Sequence, residues 1–231
     1  MGRVFACSDL HGMLPLYEQI NNFLEPDDKV YFLGDAADRG PEGWTVIRMI
    51  ASNPQWIYMQ GNHEAMLADA IKEELIGDWR GDKTELLYYN GGYQTLEDWR
   101  MAGAEGEWSS FLRKLPVYQE YVNKDGVLVR LSHAGFTPYP DSEPDPRDLI
   151  WNRKHIHSGW QKDFNDNQII IHGHTPIYHM REIVEPGALW YCDNHKVCID
   201  NASFATGQTC LLDLDTFDEH IFEIPNFKRC I

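Results

Sequence analysis

Asp9-Leu10-His11-Gly12, Gly34-Asp35-Ala36-Ala37-Asp38-Arg39-Gly40 and Gly61-Asn62-His63-Glu64 are three short polar blocks, each placed directly after an apolar run that reads as a strand. Asp9 and Asp35 are 26 positions apart, and Asp35 and Asn62 are 27 apart. That interval suits one strand–helix–strand unit. The three loops should therefore meet along one edge of a single parallel sheet. Gathered there, they offer carboxylates, imidazoles, an amide oxygen and a guanidinium.

Outward from these blocks, the chain alternates strand and helix. Arg3 to Ser8 reads as a first strand, and residues 14–24 carry apolar side chains at 16, 17, 20, 23 and 24, a helical stripe. Lys29 to Leu33 is a second buried strand. Pro41 is expected to open a helix, with Trp44, Val46, Ile47 and Ile50 at helical spacing. Trp56 to Gln60 is a third strand and Ala65 to Leu75 a third helix. This alternation predicts a parallel α/β core in the first third of the chain.

Between about 77 and 112 the pattern changes to glycines set among aromatic and acidic residues, including Trp79, Tyr88, Tyr89, Tyr93, Trp99 and Trp108. We read a small, mostly helical insertion covering part of the site, with its aromatics forming its own core. Val117–Val122 and Gly126–Leu131 suggest a hairpin. Thr137 to Asp148, with four prolines, reads as a surface loop. Gln168–His172, His179–Val184, Val197–Ile199, Thr209–Leu214 and His220–Ile224 read as short strands, so a second sheet packed on the first is the expected architecture. Nothing marks a linker or repeat, and residues 1–231 are read as one domain.

The net charge of −16 argues against a nucleic-acid groove, which needs a basic face. An anionic substrate stays compatible with it if bound divalent ions set the local field. No stretch approaches the roughly 20 apolar residues of a membrane helix. Met1 leads straight into the first strand and Asp9, where a cleavable leader would remove or block the site, so a cytoplasmic location is expected. The five cysteines are odd in number and lack paired spacing, which fits free thiols in a reducing compartment.

The residue types themselves point to metal chemistry. Asp9 and His11 can turn towards one ion, Asp35 can bridge two through its two oxygens, and Asn62 can serve the second. Downstream, Ser132-His133-Ala134-Gly135 and His172-Gly173-His174-Thr175-Pro176 follow strand-like runs and add imidazoles. Two ions roughly 3.5–4 Å apart would generate a hydroxide at neutral pH and clamp a phosphoryl oxygen, as in a two-metal phosphoester hydrolase. No cysteine stands among these ligands, so the set favours Mn, then Fe or Zn, over a thiolate site.

Asp-x-His-Gly, Gly-Asp-x-x-Asp-Arg-Gly and Gly-Asn-His-Glu together resemble the phosphoprotein phosphatase family of metallophosphoesterases, the serine/threonine phosphatases. Asn90-Gly91-Gly92, Ser132-His133-Ala134, Ile150-Trp151-Asn152-Arg153 and Gly173-His174-Thr175-Pro176 are similar to its bacterial and phage branch, that of the bacteriophage lambda phosphatase. The resemblance implies an α/β/β/α sandwich, two packed mixed β-sheets flanked by helices. It also implies that Asp9, His11 and Asp35 hold one metal and that Asp35, Asn62, His133 and His174 hold the other. Arg39, Arg153 and Asn62 would bind the substrate phosphate, His63 would protonate the leaving alkoxide, and Asp38 would orient His63. Hydrolysis would proceed by direct attack of a metal-bridging hydroxide. Its Gly-His-Thr-Pro pattern selects His174 over His172, while His155 and His157 read as solvated loop residues and Glu64 as a helix-start residue.

Two departures stand out: Ser8 replaces the usual glycine before Asp9, and Ile199-Asp200-Asn201-Ala202 stands where the phage relative has Asp-Thr-Gly. The leading expectation is a phosphatase acting on phosphoserine and phosphothreonine in proteins, with phosphotyrosine as a further substrate. The alternatives are a symmetrical dinucleoside tetraphosphate hydrolase and a catalytically silent binding module.

Overall fold

Strand β1 (Val4–Cys7) pairs in parallel with β2 (Lys29–Phe32), which pairs in parallel with β3 (Trp56–Tyr58). Helices α1 (Leu14–Phe23) and α2 (Gly43–Ser52) make the two crossovers, and α3 (Asn62–Leu75) follows β3. These elements come from a computed structural model that describes residues 2–78, 80–136, 144–153, 167–179, 190–192 and 195–228. The parallel core read from the first third of the chain is therefore present. Helix α2 begins at Gly43 rather than at Pro41, because the Glu42 amide is used on the Gly12 carbonyl at 3.2 Å.

The insertion is helical as expected: α4 (Asp82–Tyr89), α5 (Tyr93–Met101) and α6 (Glu107–Arg113). β4 (Tyr118–Val122) and β5 (Leu128–Ser132) then form the antiparallel hairpin. The proline-rich segment ends sooner than its composition suggests, since Pro146 starts α7 (Pro146–Trp151) under an Asp145 side-chain cap; residues 137–143 lie outside the described set. β6 (Gln168–His172), β7 (Trp190–Cys192) and β8 (Lys196–Cys198) complete a second sheet of order β4-β5-β6-β8-β7. The strand expected from His179 is not seen at its start, where Ile177–His179 is a 3₁₀ turn, and its remainder lies outside the described residues.

One expectation needs correction. The last strands, β9 (Gln208–Asp213) and β10 (Glu219–Glu223), do not extend the second sheet but return to the first, giving the order β10-β9-β1-β2-β3. β9 lies antiparallel to β1 and is buried along nearly its whole length. A strand apolar on both faces needs cover on both, which a position inside the first sheet supplies. Leu211 joins the helix-side core while Cys210 and Leu212 join the core between the sheets. β1 splits the same way: Phe5 and Cys7 pack under the helices and Ala6 against the second sheet. Both sheets are mixed, they pack face to face, and helices cover the first. Cys7, Cys198 and Cys210 are buried free thiols, and burial pushes the Cys7 thiol up to about 12. Among the described residues no helix is long and apolar enough to cross a membrane.

Candidate metal centre

Five loops leave the carboxyl ends of β1, β2, β3, β5 and β6 and converge, as open α/β sheets allow. The first two are zipped together by Asp9 N to Gly34 O (3.1 Å), His11 N to Asp35 O (2.9 Å) and Gly12 N to Ala36 O (2.7 Å). The second and third touch so closely that a Cβ on Gly34 would lie 2.3 Å from the Gly61 nitrogen. This is why glycine opens the second and third blocks. Backbone strain gathers here too: of the ten non-glycine residues with positive φ among those described, six are Asp9, His11, Asp35, Asp38, Arg39 and His174.

Asp35 lies at the centre. Its Oδ2 is 3.8 Å from His11 Nε2, 3.8 Å from His63 Nε2 and 3.3 Å from His133 Nε2. Two three-residue clusters able to hold a metal share it: His11, Asp35 and His63, and Asp35, His133 and His174, each with ligand atoms within 4.8 Å of one another. Asn62 Oδ1 joins the second at 2.9 Å from both His133 Nε2 and His174 Nδ1. Asp9 stands beside the first, its Oδ1 3.8 Å from His11 Nε2. All of these side chains are buried.

The donor set fits a divalent cation. His133 Nδ1 lies 3.0 Å from the Leu33 carbonyl and His11 Nδ1 2.8 Å from the Ala37 carbonyl, so each ring donates there and turns an Nε2 lone pair inward. The His133 lone pair then faces the Asn62 and Asp35 oxygens, acceptor against acceptor, which only a positive charge relieves. Asp9 Oδ1 is buried without a hydrogen-bond partner. The same demand for charge shows in the titration. Burial lowers the His133 pKa, but the Asp35 carboxylate outweighs it and carries it up to about 9. Asp35 goes the other way: although burial raises it, His133 and His63 hold it well below the usual carboxylate range.

His63 lies in the first turn of α3, which starts three residues earlier than periodicity suggests. Its Nδ1 meets Asp38 Oδ2 at 2.6 Å, and its Nε2 accepts from Arg39 Nη2 at 3.0 Å. Arg39 also donates through Nη1 to His11 Nε2 at 3.0 Å, so one guanidinium spans the two imidazoles. An ion on His11 Nε2 would displace that bond and free the guanidinium for an anion. Arg153 is exposed, yet near enough to add to the lowering of the His174 pKa that burial and His133 begin. His174, not His172, reaches the cluster. His172 points to the Gly173 carbonyl at 3.0 Å, and burial, with help from Lys196, brings it down to about 4. His155 and His157 lie outside the described residues.

Three contributors carried no clear signal in sequence. The first is Phe204 on the short helix α8 (Ser203–Thr206): its ring lies 4.9 Å below the Arg39 guanidinium and 5.4 Å from the His11 ring. The second is the grip of the insertion, itself expected to cover part of the site, on the second block: the Arg39 amide donates to Gly91 O (3.1 Å) and the Asp38 amide to Thr95 Oγ1 (3.1 Å). The third is Glu64. It does mark the start of α3 by accepting the Gly61 amide (2.8 Å), but it also accepts the Asp35 and Ala36 amides (2.8 Å each) and the Tyr58 hydroxyl (2.9 Å). One fully buried carboxylate thus locks the second loop to the third. Glu64→Ala would leave four buried donors unsatisfied at about 1–3 kcal/mol each. We expect it to destabilise the fold by at least about 3 kcal/mol in urea unfolding. A loss under about 1 kcal/mol would show that the lock is unimportant.

This geometry agrees with what the chain is similar to. A family model for calcineurin-like phosphoesterases matches residues 2–217. Serine/threonine-protein phosphatase 2 of Salmonella typhimurium is 33% identical over 217 residues, covering 87% of this chain and 91% of that protein. An asymmetrical bis(5'-nucleosyl)-tetraphosphatase, PrpE of Oceanobacillus iheyensis, is 22% identical over 199 residues, covering 80% of this chain and 71% of the relative. Among solved structures, a candidate diadenosine tetraphosphatase superposes with a TM-score of 0.66 at 16% identity, over 98% of this chain and 95% of the other, a likeness of fold. The chain belongs to the calcineurin-like phosphoesterase family, and it is a hydrolytic metallophosphoesterase.

Proposed function

We propose that this member of the family is a dinuclear, Mn-dependent protein phosphatase of the cytoplasm, hydrolysing phosphoserine and phosphothreonine monoesters and accepting phosphotyrosine. The observation that carries the chemistry is the placement of His63. Asp38 fixes its Nδ1, while its Nε2 looks towards the Asp35 oxygen shared by both clusters, beside Arg39. Asp9, His11 and Asp35 would hold one ion; Asp35, Asn62, His133 and His174 would hold the second. Bound there, divalent ions supply charge that activates water and clamps phosphoryl oxygens. Arg39, Arg153 and Asn62 hold the phosphate, where a planar guanidinium forms paired charge-assisted bonds. His63 gives its Nε2 proton to the ester oxygen as the P–O bond breaks, so the leaving group departs as an alcohol. Burial opposes a charged His63, but the Asp35 and Asp38 carboxylates outweigh it and raise its pKa, the direction a general acid needs.

The higher identity and fuller coverage of the serine/threonine phosphatase relative support a phosphoprotein substrate. A second reading has its own support. Two relatives are named asymmetrical bis(5'-nucleosyl)-tetraphosphatases, and Tyr89 and Tyr93, 91% and 56% exposed on either side of the Asn90-Gly91-Gly92 turn, offer stacking faces near Arg39. The insertion's aromatics are thus divided: Trp99 is core, these two are not, and Trp79 lies outside the described residues. Mn²⁺-reconstituted protein should show higher kcat/KM on a phosphoserine or phosphothreonine peptide than on diadenosine tetraphosphate at equal ionic strength. A clear preference for the dinucleotide would replace the leading reading, and its products would separate symmetrical from asymmetrical cleavage.

A further inference from the structure

A groove of about 580 Å³ lies among α3, α4, α6 and α7, close to the metal centre. One end is set by Gln60, next to Gly61 and Asn62, and by Trp151, whose ring centroid is 6.4 Å from that of the His174 ring. Trp151 is 42% exposed and Leu86 on the opposite wall 40%, so two apolar faces stand open among charged side chains. The walls carry charge of the less expected sign. Lys83, Arg113 and Arg147 line the groove, against Asp69 and Asp148. Arg113 is paired to Asp69. Lys83 and Arg147 make no ion pair among the described residues, although Lys83 lies close enough to Glu73 to help lower its pKa. The lining carries three cations against two carboxylates, and of the three Arg147 is the nearest to Trp151 in the chain. In a chain of net charge −16, this is a local reversal next to a site that handles phosphate.

Position adds a length scale. Arg147 and Trp151 are four apart on α7, so they share a face and stand roughly 6 Å from each other. Trp151 abuts a metal-cluster histidine. An extended chain advances about 3.3 Å per residue, so Arg147 meets a side chain some two or three positions from the phosphorylated one.

We propose that this groove binds the polypeptide flanking the phosphorylated residue, and that Arg147 and Lys83 select an acidic side chain two or three positions away. The inference rests on the protein phosphatase reading and adds to it a sequence preference built into the insertion and α7. Trp151 and Leu86 take the apolar stem of the flanking residue, and the two cations take its carboxylate.

The test uses Mn²⁺-loaded full chain, wild type and Lys83→Gln/Arg147→Gln. The substrates are a pair of phosphoserine peptides differing only in Glu or Gln at the two positions on either side at that distance, with p-nitrophenyl phosphate and diadenosine tetraphosphate alongside. Wild type should favour the Glu peptide by about fivefold to tenfold in kcat/KM at low salt, mostly through KM. The double variant should lose that preference and keep its p-nitrophenyl phosphate activity. Equal rates on both peptides in wild type, or a preference that survives in the double variant, would overturn the proposal. Turnover of p-nitrophenyl phosphate with neither peptide accepted would instead remove the phosphoprotein reading on which it rests. A double variant impaired on diadenosine tetraphosphate, with equal peptide rates in wild type, would reassign the groove to a polyphosphate chain.

Discussion

Asp35→Asn is expected to lose affinity for both metal ions at once and to lower kcat/KM by on the order of 10³-fold. The shared carboxylate is the reason: its Oδ2 lies within 3.8 Å of His11, His63 and His133, and both clusters include it. An amide presents one neutral oxygen where two ions need a shared charge. Withdrawing Lewis-acid stabilisation worth about 4 kcal/mol corresponds to that factor. The fold should survive, because an Asn oxygen can still accept the His63 amide that Asp35 Oδ1 receives at 3.0 Å. Metal titration and steady-state kinetics of the purified variant would check this. Loss at one site alone, or near-wild-type turnover, would mean that Asp35 is not shared.

His63→Asn should lower kcat by roughly 10²–10³-fold on an alkyl phosphoester, the range general acid catalysis supplies. With p-nitrophenyl phosphate the loss should shrink, since a stable phenolate departs with little protonation. Metal content should stay at the wild-type level. That last point separates two roles for His63, which belongs to one of the metal-capable clusters and is the acid in the proposed mechanism. A variant that loses metal, or that loses the same factor on both substrates, would make His63 a ligand rather than the acid.

The part of the fold legible in sequence was the part encoded locally. Asp9, Asp35 and Asn62 follow short apolar strands at a regular interval, and β1, β2 and β3 are parallel neighbours whose loops meet. The destination of β9 was not legible, since a strand buried on both faces suits either sheet and only its pairing with β1 decides. In the site, the residues that converge were visible because a ligand-bearing side chain and its tight turn occupy the same few positions. The residues that hold them were hidden. Glu64 reaches back 29 positions to the Asp35 amide, and Phe204 comes from a helix of four residues to lie under Arg39. Neither has a periodicity or a motif of its own, and each acquires its role from partners distant in the chain.

Two ions sharing Asp35 are the core of the chemistry proposed for this chain. Wild-type protein should be stripped with chelator, reconstituted with excess Mn²⁺, freed of unbound metal and submitted to elemental analysis against protein concentration. Two ions per chain is the predicted result. One ion or none at saturating metal would contradict the dinuclear centre and the mechanism built on it.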